Sequence, residues 1–205
     1  MDILELTKKL ISIKSFSGDE KSVFEFASDW FRRNKFEYIK QDEMFVAALK
    51  TKTGAPKAII LSGHLDTVVS GDESLWSASP FEATRKSGKL IGLGSSDMKA
   101  AVAAQMLAVR DSERDDLDIW SVAVANEEID GAGSEAFMEW FQAEFDYDEV
   151  VCVIGEPTDL DRIEVGHRGN RFVKLEFAAI SGHASQQASF DSSALAKASL
   201  FLADI

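Results

Sequence analysis

The sequence predicts an α/β domain with a mostly parallel central sheet. Two observations carry this. Three short apolar runs, at residues 58–62, 119–125 and 150–154, have the length and composition of buried strands. Stretches with helical spacing alternate with them, which is the pattern of βαβ units. A third observation indicates where a site would lie. Each run stops abruptly at polar residues: His64 and Asp66, then Glu127 and Glu128, then Glu156. In open α/β sheets, ligands bind at the carboxyl ends of the strands.

Residues 3–13 set Ile3, Leu6, Leu10 and Ile13 at helical spacing. Ser17 and Glu20 have the Ser-x-x-Glu spacing of a capping box. They predict a helix from there to about Arg33, with Val23, Phe24, Phe26, Ala27 and Phe31 turned inward. Residues 44–50 predict a strand. Residues 75–96 hold Trp76, Pro80, Phe81 and several glycines, so they read as a long loop with a short hairpin over 83–91. Residues 97–110 read as an alanine-rich helix able to pack closely on a sheet, and 134–142 as another. Residues 162–179 read as a longer, alternating strand and 188–203 as a final helix. The single cysteine, Cys152, lies in an apolar run and reads as a small buried core residue. One cysteine cannot form an intramolecular disulfide.

A length of 205 residues suits one domain, or one domain and the start of another. With 45% hydrophobic residues, a sizeable core is expected. Thirty-five acidic residues against 22 basic ones give a formal net charge of −13. That charge repels nucleic acid and anionic membranes, so neither is expected as a partner. No run approaches the roughly 18 apolar residues that a membrane span needs. The first residues form no basic, apolar leader. A cytoplasmic protein is the expectation.

His64 and Asp66 are two residues apart, so on a strand both point the same way. Asp66 could then hold the imidazole of a metal-ligating His64. Alone, such a pair arises often by chance. Glu127 and Glu128 are adjacent, so on extended backbone they diverge. One could ligate a metal while the other acts as general base. Away from a strand end, the same pair would be an ordinary solvated charge pair. Asp97 stands at a loop-to-helix junction. Carboxylates gathered at one sheet end repel one another unless a cation joins them. The stretch GLGSSD at 92–97 is not Gly-x-Gly-x-x-Gly and follows no plain buried strand, so nucleotide binding is not expected.

Five segments, SGHLDTV (62–68), LWSASPFEATRKSGKLIGLGSSDMKAA (75–101), ANEEIDGAGS (125–134), IGEPT (154–158) and SGHAS (181–185), taken together resemble one family. It is the aminoacylase, acetylornithine deacetylase and succinyl-diaminopimelate desuccinylase family of co-catalytic zinc hydrolases. The resemblance implies a three-layer zinc-peptidase-like domain over residues 1–170. Residues 171–205 would begin an α+β lid, or dimerisation, domain. His64 would ligate one zinc, Asp97 would bridge both, and Glu156 would complete the His64 site. Glu128 would ligate the second zinc, Glu127 would be the general base, and Asp66 would orient His64. The Asp97–Met98 peptide would be cis. His183 would reach a partner's active site in a homodimer and help bind the oxyanion, while His167 has no implied role. Substrates would be N-acyl amino acids or small peptides. Zinc is the implied cofactor, and cobalt or manganese suits the same ligands. The family's second-metal histidine has no counterpart within these 205 residues. The second zinc would therefore have only Asp97 and Glu128, fewer than the three protein ligands usual for catalytic zinc. The alternative expectation is a truncated, non-catalytic relative that binds one metal or partners a full-length subunit.

Overall fold

The computed structural model of the chain describes residues 1–159, 161–166, 173–180, 183, 185 and 193–204. The chain divides into two compact units, Met1–Ile163 and Glu164–Ile205. The domain boundary expected after residue 170 lies outside the described residues, as does His167.

The first unit opens with helix α1 (Ile3–Ser12). Its cap is a reciprocal box: Asp2 accepts from the Glu5 amide and Glu5 accepts from the Asp2 amide. Helix α2 (Lys21–Arg33) follows, then strands β1 (Tyr38–Gln41), β2 (Phe45–Leu49) and β3 (Lys57–His64). A two-stranded hairpin, β4 (Thr84–Lys86) and β5 (Lys89–Ile91), precedes helix α3 (Lys99–Arg110). Strand β6 (Asp118–Val124), helix α4 (Ala132–Glu144) and strand β7 (Glu149–Ile154) complete the unit.

The main sheet has the order β1-β2-β6-β3-β7. β6 and β7 each pair parallel to β3, while β2 is antiparallel to both β1 and β6. Only β2 therefore runs against the other four, and the sheet is mostly parallel, as expected. Alternation along the strands builds three layers. Val46, Ala48, Ala123 and Ala125 join a core with Leu6 and Leu10 of α1, Phe24 and Phe31 of α2, and Val102 and Met106 of α3. Phe45, Ala47, Leu49, Trp120, Val122 and Val124 pack with Phe137 and Phe141 of α4. Trp120 is fully buried, with ring centroids of Phe145 at 4.8 Å and Phe141 at 5.5 Å.

The structure corrects several sequence expectations. Ser17 and Glu20 do not form the expected capping box. Helix α2 begins at Lys21, and Glu20, at its N-cap, makes no side-chain cap bond. Both side chains are engaged elsewhere, as described below. Helix α3 starts at Lys99, so Asp97 stands before it rather than within it. Strand β7 is not buried: all six residues are exposed, including Cys152. The reason is missing cover, since no described helix packs substantially on either face of β7. β7 lies at the sheet edge, and among the described residues its only strand partner is β3. The described residues of 162–179 form no strand, and residues 167–172 of that stretch lie outside the described residues. The final helix, α5, spans Ala194–Ala203 in the second unit, where the Ser193 hydroxyl caps it through the Ala196 amide. The part of that helix expected over 188–192 falls outside the described residues.

At the amino end of β6, Asp118 is 1% exposed. Its carboxylate accepts from the Thr53 amide (2.8 Å), the Thr53 hydroxyl (2.7 Å) and the Tyr147 hydroxyl (2.6 Å). Burial and this carboxylate hold the Tyr147 phenol well above its usual pKa. Asp118→Ala strips three bonds from a buried cluster and is expected to lower unfolding free energy by about 2–3 kcal/mol. Urea denaturation checks this, and a loss below about 0.5 kcal/mol, typical of exposed sites, contradicts it.

Candidate active site

The first unit gathers its chemistry at the carboxyl ends of β3, β6 and β7. His64 is the last residue of β3 and is 1% exposed, and Asp66 beside it is fully buried. The two ring nitrogens of His64 face different surroundings. Nδ1 lies 3.0 Å from the Asp66 carbonyl oxygen and 3.3 Å from its carboxylate. Nε2 lies 3.0 Å from Asp97 Oδ1, 3.8 Å from Glu127 and 3.9 Å from Glu156. Nδ1–H donation to Asp66 turns Nε2 toward the carboxylates, where its proton faces Asp97 Oδ1 and a bound metal would take that proton's place.

Asp97 reaches the site from the loop after β5, and the Asp97–Met98 peptide is cis, as the resemblance implies. The helix that follows is pinned by Lys99, whose buried ammonium donates to the carbonyls of Leu10 (3.0 Å) and Ile13 (2.8 Å). Glu127 and Glu128 lie in a turn rather than on extended backbone. They still diverge, into two groups. Ligand atoms of His64, Asp97 and Glu128 lie within 4.8 Å of one another, and so do those of His64, Glu127 and Glu156. The resemblance groups these residues differently, with Glu156 beside Asp97 and Glu127 as a base. Both groups share His64, the only histidine in residues 1–163, because its Nε2 lies within 4 Å of Asp97, Glu127 and Glu156.

The turn that carries Glu127 and Glu128 is held by two buried carboxylates. The Glu127 amide donates to Asp66 Oδ1 (3.3 Å) and the Glu128 amide to Asp66 Oδ2 (3.2 Å). The preceding amide, of Asn126, donates to Glu20 Oε1 (3.1 Å). Ser17 Oγ also donates to Asp66 Oδ2, at 2.7 Å. Sequence reasoning missed Ser17, Glu20 and Asn126. A cleft of about 220 Å³ opens beside the site, lined by Thr67, Val68, Trp76, Leu93, Asp97 and Glu128 among others. His183, in the second unit, is exposed, with Nδ1 2.7 Å from Ser185 Oγ.

The electrostatics favour a cation. Burial and the charges of Asp97 and Glu127 push the Glu128 carboxyl above its usual pKa. Burial, with Asp97, Glu127 and Glu128, does the same to Glu156. For His64, burial opposes the charged form but is outweighed by Asp66, Asp97 and Glu156, which raise the imidazole to about 9. Asp66 is lowered despite its burial, because His64, Ser17 and the Glu128 amide stabilise its charge. One buried imidazole and several converging carboxylates make a donor set that fits a divalent metal ion. A metal must displace the His64 proton. Zinc binding at pH 7.5 is therefore expected to release about one proton, since the free imidazole titrates near 9. Calorimetry in buffers of different ionisation enthalpy measures this, and zero protons released contradicts it. The sign follows from the raised pKa: zinc affinity climbs with pH up to about 9 and flattens beyond.

The family model for peptidase family M20/M25/M40 matches residues 60–201. The chain belongs to that family. Its M20 relatives include the succinyl-diaminopimelate desuccinylase of Wolbachia pipientis subsp. Culex pipiens (strain wPip), 31% identical over 198 residues. That match covers 89% of this chain and 48% of the relative. The acetylornithine deacetylase of Klebsiella pneumoniae (strain 342) is 32% identical over 198 residues, with 90% and 50% covered. The chain thus spans about half the length of the curated relatives it matches. Two solved structures share the fold. An M20 family metallo-carboxypeptidase from Sulfolobus solfataricus superposes with TM-score 0.61 at 20% identity, covering 74% of this chain and 37% of that one. Human carnosine dipeptidase 1 gives TM-score 0.58 at 22% identity, covering 73% and 37%. Among the described residues, no helix is long and apolar enough to cross a membrane.

Proposed function

We propose that this M20 chain carries the metal-binding half of an amide hydrolase acting on N-acyl amino acids or small peptides. The observation that carries this reading is the convergence of Asp97, Glu127 and Glu156 on Nε2 of one buried histidine. His64, Asp97 and Glu156 would hold one zinc, and Asp97 with Glu128 a second. When bound, the metal supplies Lewis-acid polarisation of the amide carbonyl and a more acidic water. The chain's own residues do the rest. Glu127, half exposed beside His64, accepts a proton from the attacking water and can return it to the leaving amine. Asp66 keeps His64 in the tautomer that leaves Nε2 free to ligate. The cleft beside Asp97 and Glu128 gives the scissile group a place to lie. His183 is proposed to assist at a partner's site in a cytoplasmic homodimer, on the strength of the SGHAS resemblance alone.

The test is hydrolysis of N-succinyl and N-acetyl amino acids and dipeptides by zinc-loaded protein, with zinc content measured alongside. Turnover that is lost on chelation and restored by zinc supports the reading. A second reading, metal binding without turnover, is favoured by one observation: the first unit supplies a single histidine. Bound zinc with no turnover of any of these substrates would establish that reading instead.

A further inference from the structure

We infer that Glu20 is a positioning residue of this site: with Asp66 it grips three consecutive amides, and so fixes where the Glu127 and Glu128 carboxylates stand. The inference rests on the metal-site reading above. Glu20 is 5% exposed, and no basic side chain pairs with it among the described residues. A buried carboxylate is costly unless its oxygens receive hydrogen bonds. Glu20 is positioned at the start of α2, where its side chain could cap that helix, yet it makes no cap bond. Its Oε1 instead accepts from the Gly18 amide at 3.0 Å and from the Asn126 amide at 3.1 Å, across 106 positions of sequence.

Asn126 is where β6 turns into the site. It has φ 55, in the left-handed region, and its carbonyl accepts from the amides of Ile129, Asp130 and Gly131. The next two amides go to Asp66. Successive amides aimed at acidic oxygens form an anion-binding concavity, here filled from within the protein. This turn sends Glu128 toward Asp97 and Glu127 toward Glu156. The segment bearing Glu20 is fastened to the β3 end as well. The Thr67 amide donates to the Ser15 carbonyl, the Ser17 amide donates to the Thr67 carbonyl, and Ser17 Oγ donates to Asp66. One loop therefore ties the end of β3, with His64, to the end of β6, with the glutamates. Glu20 belongs to neither group of prospective ligands, so it acts through Asn126.

The test compares zinc affinity of the folded 205-residue chain, by competition with a chromogenic chelator, for wild type, Glu20→Ala, Glu20→Gln and Asp118→Ala. Glu20→Ala is expected to weaken zinc binding by about tenfold or more, the usual effect of removing a group that orients ligands. Glu20→Gln keeps a carbonyl acceptor at the same reach and is expected to restore affinity to within about threefold. Asp118→Ala, at the far end of β6, is expected to lower the melting temperature while zinc affinity stays at the wild-type value. A Glu20→Ala protein that melts earlier but binds zinc like wild type overturns the inference. If Glu20→Ala does not fold, Glu20→Asp, one methylene shorter, takes its place with the same expected direction. Amide exchange gives a readout that needs no metal: Glu20→Ala should speed exchange at Asn126, Glu127 and Glu128. If wild type binds no zinc, the metal-site reading fails, and exchange still decides Glu20. Unchanged rates at those three amides reject its role.

Discussion

Glu127→Gln is expected to lower hydrolysis by the zinc-loaded enzyme about 10³-fold, the scale of a lost general base, while zinc content stays at the wild-type value. Glutamine keeps the size of the side chain and leaves the backbone amide free to donate to Asp66, as it does in the wild type. Only the ability to take a proton is removed. Because ground-state binding is untouched, KM should change little and the loss should fall on kcat. Steady-state kinetics with parallel zinc analysis measures both. Turnover near the wild-type level would remove Glu127 from the base role. A parallel loss of zinc would make it a ligand instead, which its grouping with His64 and Glu156 makes a pointed question.

His64→Ala is expected to weaken zinc binding by about a hundredfold or more. Structural zinc sites with four ligands supply about 10–16 kcal/mol, and on that scale one ligand accounts for roughly 3 kcal/mol. His64 is also the point shared by both carboxylate groups, so no neighbour can replace it. The scaffold should survive the change. Asp66 keeps its bonds to Ser17 and to the Glu127 and Glu128 amides, and α1, α2 and α3 remain packed on the sheet. Circular dichroism near the wild-type signal, with zinc lost in competition assays, is the expected pair of results. Zinc affinity within about threefold of wild type would place the metal elsewhere.

The site was legible in the sequence because its chemistry is concentrated at strand ends. The runs before His64 and Glu127 are apolar enough to read as strands, and the polar residues after them mark the carboxyl end of the sheet without any knowledge of the fold. What was not legible depends on tertiary position. Residues 150–154 look alike whether a strand lies in the middle of a sheet or at its edge, so the exposure of β7 and Cys152 could not be read. Strand β1 is four residues, Tyr38–Gln41, with a lysine and no apolar run, and it exists because β2 offers it a ladder. The Ser17 and Glu20 spacing carries the same pattern whether it caps a helix or reaches Asp66 and Asn126 more than 40 residues away. Asn126, which the sequence reading passed over, carries a local signal, since asparagine tolerates the left-handed turn better than most residues.

His64 and the carboxylates around it are expected to hold a divalent metal. Anomalous diffraction at the zinc edge, from crystals grown with zinc, tests it most directly. The expected result is a peak about 2.0–2.2 Å from His64 Nε2, shared with Asp97 and with Glu128 or Glu156. No peak there, or a zinc held by residues away from the ends of β3, β6 and β7, would contradict it.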